Sequence, residues 1–241
     1  MARVSTASQY VSETRPLSER LTPLGSVARG LVTWSLFLRG LAHRSALVRL
    51  ATAATIGVVA FVAAWTVAYV VLPEGATRFT LGLLPTLDAR ADSAGVATTL
   101  FIWNAAFGFG VIALASLYSI GPISLAYFAP WTWLVRFGVA LGTNSFALFV
   151  PGARIQPLDL RSIISHAGIP ELIAYIVLAT VLANASLWTQ RRITDRNLVR
   201  IRHLRDIRLT RAELSLVAVA FVLLAGAALI ETSQIARLQA L

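Results

Sequence analysis

The chain has 241 residues, of which 57% are hydrophobic and only 13% charged, about half the charged fraction of an average soluble domain. Its formal net charge is +10, every basic side chain is an arginine, and the absence of cysteine excludes disulfides and thiolate chemistry. The arginines lie in clusters beside long apolar blocks, so we assign them to membrane topology and lipid headgroups and exclude nucleic-acid binding. The composition therefore indicates an integral membrane protein.

The N-terminal part of the chain is predicted to stay on the cytoplasmic side. Residues 1–22, rich in Ser, Thr and Glu, are predicted to form a loosely ordered tail. Residues 23–49 are predicted to form an amphipathic interfacial helix, because bulky apolar side chains recur at helical spacing and the arginines fall on other faces. A cytoplasmic helix that packs on the membrane spans is the alternative. The first apolar block starts near Leu50, too far along the chain for a cleavable signal peptide.

A transmembrane domain is predicted at 50–235, as an all-α polytopic bundle of about five transmembrane helices, with six as the alternative count. The charge-free block after residue 49 easily crosses a hydrocarbon core of about 30 Å at 1.5 Å per residue. Gly121, Pro122 and Pro130 divide the next long block in two. The piece 121–130 is a turn, a short re-entrant element or part of a tilted third span. The predicted spans are 50–73, 96–120, 131–150, 168–188 and 212–230.

The arginine distribution predicts the orientation. Seven arginines precede the first span, and eight lie in the loop 189–211 between the fourth and fifth spans. Both segments are therefore predicted to be cytoplasmic, and the even number of spans between them agrees with this. The N-terminus is then cytoplasmic and the C-terminus extracytoplasmic, in a multi-pass protein of the cell membrane. The predicted contacts to lipid or to a cytoplasmic partner are Arg191, Arg192, Arg196, Arg200, Arg202, Arg205, Arg208 and Arg211.

Polar side chains at bilayer depth are costly unless they face protein or water, so each is a candidate functional residue. The predicted topology places several of them in the outer half of the membrane, at one level and with at least one direct contact. We call them the outer polar cluster. Glu171 also has a simpler explanation, because a carboxylate after Pro170 is stabilised at a helix start. The alternative for Asn104 is a hydrogen bond that joins two helices. The predicted outer polar cluster comprises Asn104, His166, Gly168, Glu171 and Glu231.

Motifs for catalysis are missing from the sequence. There is no H-E-x-x-H, no G-x-S-x-G and no glycine-rich phosphate loop, so we expect neither an enzyme nor a cofactor. One histidine with two distant carboxylates has no specific metal-ligand spacing, and no metal is expected. An intramembrane hydrolase or metal enzyme that uses His166, Glu171 and Glu231 is the least favoured alternative. Gly138 and Gly142, a small-xxx-small pair, are predicted to form a helix-packing face.

Three motifs carry a resemblance to a known family. They are "WNAAFGFGVIAL" with Asn104, "HAGIPEL" with the spacing His-x-Gly-Ile-x-Glu-Leu from His166, and "AALIE" with Glu231. On these, over roughly 81–235, the chain resembles the stage II sporulation protein M family of integral membrane proteins. It departs from that family after the second span, where "YSIGPISLAYF" replaces the usual Asn-Gly. The resemblance implies a membrane scaffold that tethers peptidoglycan-degrading enzymes.

The resulting functional expectation is a non-enzymatic membrane scaffold or complex subunit that docks partner proteins in cell-envelope remodelling. The alternative is a permease-like transporter subunit, with the loop 189–211 as the docking surface for a separate cytoplasmic ATPase. The expected partners are membrane lipids, other membrane or envelope proteins, such an ATPase and a second copy of the chain.

Overall fold

The computed structural model describes most of the chain from residue 36 onward. The predicted tail (1–22), residues 23–35 of the predicted amphipathic helix and His166 lie outside the described residues. So do Arg192 and Arg196 of the arginine-rich loop. The described residues are 36–77, 93–145, 152, 154–157, 159, 168–191, 194–195 and 197–239.

The described residues form the predicted all-α membrane helix bundle. Residues 36–41 are helical, and a non-helical segment at 42–45 separates them from the first long helix, so the predicted helix 23–49 is not continuous to residue 49. Among the described residues, four helices are long and apolar enough to cross a membrane, and a fifth helix, Phe128–Thr143, is too short. The helices are α1 (Ala46–Val71), α2 (Ser93–Ser116), α3 (Phe128–Thr143), α4 (Gly168–Leu182, continued by a 3-10 turn at Ala183–Ala185) and α5 (Arg211–Gln239).

The predicted count of five full-length spans is wrong, because α3 replaces the span expected at 131–150. This helix has 16 residues and is about 24 Å long, short of the roughly 30 Å hydrocarbon core. Asn144 ends it in the left-handed conformation, with φ of 50°. The amide of Ser145 then donates a hydrogen bond to the Ala140 carbonyl at 2.9 Å, which satisfies a carbonyl of the last turn. The described residues therefore hold four candidate spans.

Helix α3 packs closely along α1, and the predicted packing role of its two glycines is confirmed. A Cβ added at Gly138 would lie 2.5 Å from the Phe61 carbonyl oxygen, and one added at Gly142 would lie 2.6 Å from that of Trp65. The two backbones can come this close only because glycine has no Cβ atom. Near the start of α3, the Trp131 indole donates to a carbonyl of α1 at 3.0 Å. The contacts advance along both helices together, so α1 and α3 run parallel.

A small four-stranded sheet, which the sequence did not predict, covers one end of the bundle. The segment left open at 121–130 is a hairpin turn at Gly121, with φ of 55°, followed by a 3-10 turn and the start of α3. The first strand pairs in parallel with the third, far along the chain. We call this end, where α2 and α4 finish and α3 and α5 begin, the sheet end. The strands, in the order β2-β1-β3-β4, are β1 (Tyr118–Ile120), β2 (Ile123–Ser124), β3 (Trp188–Gln190) and β4 (Val199–Arg200).

Candidate polar cluster and arginine sites

The polar cluster of the bundle is built around Tyr175, a buried residue of α4. Its hydroxyl donates a hydrogen bond to the backbone carbonyl of Asn104 at 3.2 Å. Asn104 begins a π-helical stretch of α2, Asn104–Phe109, which widens the helical turn. A π-bulge disturbs the regular helical ladder and leaves carbonyl oxygens for other donors, and such bulges often lie at functional sites. The contact therefore joins α2 to α4 at an irregular turn of α2.

The sequence around this contact makes room for the tyrosine ring. A Cβ added at Gly108, within the π-helical stretch, would overlap the ring of Tyr175. On its other side the ring packs against Trp133 of α3, with ring centroids 4.6 Å apart. Sterics therefore explain the glycine at position 108, because any side chain there would displace Tyr175.

Two carboxylates of neighbouring helices complete the cluster. Glu171 lies one turn before Tyr175 on α4, and Glu231 lies on α5, twenty residues after that helix begins. Both side chains are half-buried, and both are within electrostatic reach of the Tyr175 hydroxyl. Glu231 is also within electrostatic reach of Glu171. The cluster therefore links α2, α4 and α5.

Of the five residues predicted for the outer polar cluster, Asn104 contacts Tyr175, and Glu171 and Glu231 are within electrostatic reach of it. Asn104 takes part through its backbone carbonyl, and Glu171 and Glu231 through their side chains. Gly168 opens α4, where a Cβ would lie 3.1 Å from the ring of Phe137, so its role is close packing. His166 lies outside the described residues. Among the residues that the structure describes, no group of three or more His, Cys, Asp or Glu side chains could hold a metal ion.

Tyr175 was not among the predicted site residues, although the sequence carried a signal for it. It follows Glu171 by four positions, and residues four apart share one face of a helix. The signal was hidden because a tyrosine in an apolar span also fits simple core packing, and because its partner on α2 is a backbone carbonyl rather than a side chain.

A second buried polar site lies at the sheet end and is centred on Arg49. This side chain is 1% exposed and pairs with Glu213 of α5 at 3.1 Å. Its Nε and Nη2 atoms each donate to the Thr180 carbonyl of α4 at 3.3 Å, and Nη1 donates to the carbonyls of His43 and Arg44 at 3.0 Å. The sequence placed Arg49 in an interfacial helix, whereas the structure places it inside the bundle, between α1, α4 and α5.

Tyr127, a buried tyrosine next to this network, lies outside the candidate spans. Its hydroxyl donates to the Leu41 carbonyl at 3.4 Å. Burial raises the pKa of Tyr127 to about 12, and the nearby positive charge of Arg49 opposes that rise. The tyrosine is therefore neutral at any physiological pH.

At the opposite end of the bundle, Arg154 binds the ends of two helices. Its guanidinium donates to the carbonyls of Ala68 and Leu72 at the end of α1, at 2.8 and 2.6 Å, and to that of Gly142 in α3 at 2.6 Å. These carbonyls lie where the regular helical hydrogen bonds end, although the Ala68 carbonyl also accepts from the Leu72 amide at 3.1 Å. A single arginine thus caps α1 and α3 together.

The arginine-rich loop is mostly on the surface. The six of its arginines that the structure describes are exposed, and Arg202 also donates to the Asn184 carbonyl at 2.7 Å, which fixes the loop to the end of α4. The described members of the predicted lipid or partner contact are Arg191, Arg200, Arg202, Arg205, Arg208 and Arg211.

Comparison with known proteins gave no match to a family model, to a curated protein or to a solved structure. The function is therefore argued from the chain's own residues and from the resemblance carried by its three motifs.

Proposed function

We propose that the protein is a non-enzymatic integral membrane scaffold or complex subunit that docks partner proteins, with a role in cell-envelope remodelling. The observation that carries the proposal is the position of Tyr175. Its hydroxyl donates to the backbone of α2, and the carboxylates Glu171 of α4 and Glu231 of α5 are within electrostatic reach of it. We therefore assign Tyr175, Glu171 and Glu231 a structural role, in which they hold α2, α4 and α5 together and so fix the surface to which a partner protein docks.

Two further observations support a structural rather than a catalytic role for this cluster. Among the described residues, every buried side-chain nitrogen and oxygen has a hydrogen-bond partner, so no orphaned buried group there awaits a substrate. The resemblance to the stage II sporulation protein M family also implies a scaffold. We place the protein in the cell membrane with the sheet end facing the cytoplasm, because Arg44, Arg49 and the six described arginines of the loop 189–211 lie at that end.

The proposal is tested on the full chain, purified from its native membranes in mild detergent. We expect the wild-type protein to elute with a partner at fixed stoichiometry in size-exclusion chromatography with light scattering. Gly108→Ala should displace Tyr175 and lose the partner. Gly110→Ala is the matched control, since a Cβ there would meet nothing within 4 Å, and it should keep the partner. Turnover of a peptide or peptidoglycan substrate by the purified chain alone would contradict the proposal.

A permease-like subunit that works with a separate ATPase is the second candidate, and the exposed arginines at the sheet end favour it. An ATPase that docks there would present acidic residues to Arg205 and Arg208. Charge reversal of both residues to Glu should then abolish co-purification of ATP hydrolysis with the protein. Retained ATPase activity in the variant, or none in the wild type, would argue against this candidate.

A further inference from the structure

The most unusual surface of the described chain is the stretch of residues 197–208, which we call the basic arm. Residues 197–206 are all exposed. Large aliphatic side chains, with exposed fractions between 48% and 65%, alternate there with arginines. The aliphatic residues are Leu198, Val199, Ile201 and Leu204, and the arginines within the arm are Arg200, Arg202, Arg205 and Arg208.

The basic arm is held at a defined level of the bundle. Its strand β4 pairs with β3, with Val199 opposite Thr189. The amide of Ile201 donates to the Leu187 carbonyl at 2.8 Å, and Arg202 is bound to the end of α4. The arm then leads directly into α5, a candidate span. It is thus fixed at the level where two membrane helices leave the bilayer.

Aromatic side chains beside the arm mark the same level. Tyr118 of β1 and Trp188 of β3 stack with ring centroids 5.2 Å apart, and Tyr118 is exposed. Tyrosine and tryptophan are enriched where a membrane protein crosses the headgroup region, because their rings have an apolar body and a polar tip. The sheet that carries the arm therefore has the aromatic pair that is typical of the interfacial layer of a membrane.

We infer that the basic arm lies on the membrane surface and binds the anionic phospholipid headgroups of the adjacent leaflet. The aliphatic side chains enter the boundary between headgroups and acyl chains, and the arginines donate to lipid phosphates. A docked protein would also cover the arm, but charge complementarity and continuity with two spans favour the lipid surface. The arm's only acidic residue, Asp206, accepts a hydrogen bond from the His203 amide at 3.0 Å, and the four arginines outnumber this single carboxylate. This inference does not depend on the proposed scaffold role.

The absence of cysteine allows a direct test on the full chain. Ile201→Cys is labelled with an environment-sensitive fluorophore and reconstituted into vesicles of phosphatidylcholine alone or of phosphatidylcholine with phosphatidylglycerol. We expect a blue-shifted emission, quenched by bromine-labelled lipids, only in the vesicles with phosphatidylglycerol. Val222→Cys, on the exposed face of α5, is the control and should report lipid in both vesicles.

Charge variants of the labelled protein separate electrostatic binding from misfolding. Each arginine near an anionic surface contributes roughly a fivefold gain in binding, so Arg200→Gln with Arg205→Gln should weaken the phosphatidylglycerol response by about 25-fold. The corresponding Lys variants should retain the response. Arg39→Gln with Arg44→Gln removes the same charge outside the arm and should preserve it.

Two results would overturn the inference. One is an aqueous label at position 201 in both kinds of vesicle, with the control at Val222 reporting lipid as expected. The other is a label that becomes shielded only when the soluble cytosolic fraction is added, which would assign the basic arm to a protein partner and favour the permease-like candidate.

Discussion

Arg49 and Glu213, 164 positions apart, form an ion pair of 3.1 Å with side chains only 1% and 9% exposed. The pair joins the first turns of α1 and α5. It therefore places the start of α1 with Arg44 and Arg49 at the same end of the bundle as the described arginines of the loop 189–211, the relationship that the charge bias of the sequence predicts for these residues. Because Arg49 also binds the end of α4 through the Thr180 carbonyl, three helices meet at one guanidinium.

Breaking this pair should destabilise the bundle strongly. Glu213→Gln leaves the guanidinium of Arg49 without its counter-charge while it remains buried. Removal of one partner from a buried pair typically costs about 3–5 kcal/mol. We expect the lower end of that range, because Arg49 keeps its bonds to three carbonyls. Thermal unfolding in detergent, followed by tryptophan fluorescence, measures the change.

Asp206→Asn is the matched control for Glu213→Gln. Asp206 is also acidic and at the sheet end, but it is exposed, so its loss should change stability by no more than about 0.5 kcal/mol. Equal unfolding temperatures for the two variants would show that the ion pair does not support the fold.

The close approach of α1 and α3 predicts that alanine substitutions at Gly138 and Gly142 destabilise the bundle. Gly138→Ala would push a methyl group against the Phe61 carbonyl, and Gly142→Ala would push one against that of Trp65. Neither backbone can move aside without separating the helices, so each substitution should cost about 1–3 kcal/mol, the usual range for overpacking. The same unfolding measurement applies.

Gly226→Ala in α5 provides the contrast. A Cβ there would meet nothing within 4 Å, and alanine has a helix propensity about 1 kcal/mol better than glycine. The variant should unfold at or slightly above the wild-type temperature. A similar loss of stability in Gly138→Ala, Gly142→Ala and Gly226→Ala would mean that the close packing of α1 and α3 does not explain the destabilisation.

The membrane helices could be predicted from the sequence because apolar blocks of spanning length are a strong local signal. The end of α3 could not, since it depends on the left-handed conformation of Asn144, one residue within an apolar block. The sheet was missed because its strands have only two or three residues and its parallel pairing joins Tyr118 to Trp188, seventy positions away. Such pairing leaves no periodic pattern in the sequence.

The candidate site could be predicted only in part, for a related reason. Charged and amide side chains within spans stand out, so Asn104, Glu171 and Glu231 were identified. Tyr175 and Arg49 were not assigned to sites, because their partners include backbone carbonyls of distant helices. A carbonyl is present at every residue, and only the fold decides which ones accept from a side chain.

The Tyr175 hydroxyl is predicted to hold the π-helical stretch of α2 against α4. Tyr175→Phe removes the donor to the part-buried Asn104 carbonyl, at a cost of about 0.5–1.5 kcal/mol, the usual net contribution of one hydrogen bond. Amide hydrogen exchange of residues 104–109 should accelerate in the variant. Tyr118→Phe, which changes a tyrosine exposed at the sheet end, should leave that exchange unchanged. Unaltered exchange in Tyr175→Phe would show that the hydrogen bond does not stabilise the bulge.

Burial of Tyr127 predicts a loss of stability at alkaline pH. Its pKa is raised to about 12 in the folded protein, against about 10 in the unfolded chain. Below pH 10 the group is neutral in both states and its contribution is fully present. As the pH rises from 10 to 12, the unfolded chain loses the proton first, so the free energy of unfolding falls, by on the order of 3 kcal/mol in total.

Comparison of wild type with Tyr127→Phe isolates this effect, because the variant keeps the buried ring and cannot titrate. The wild type should lose stability between pH 10 and 12 more steeply than the variant, when unfolding in detergent is measured across that range. Tyr118→Phe should follow the wild type, since that exposed ring contacts the sheet and not the Arg49 network. Parallel curves for wild type and Tyr127→Phe would show that the hydroxyl reaches water in the folded state, and that the Leu41 contact does not seal this end of the bundle.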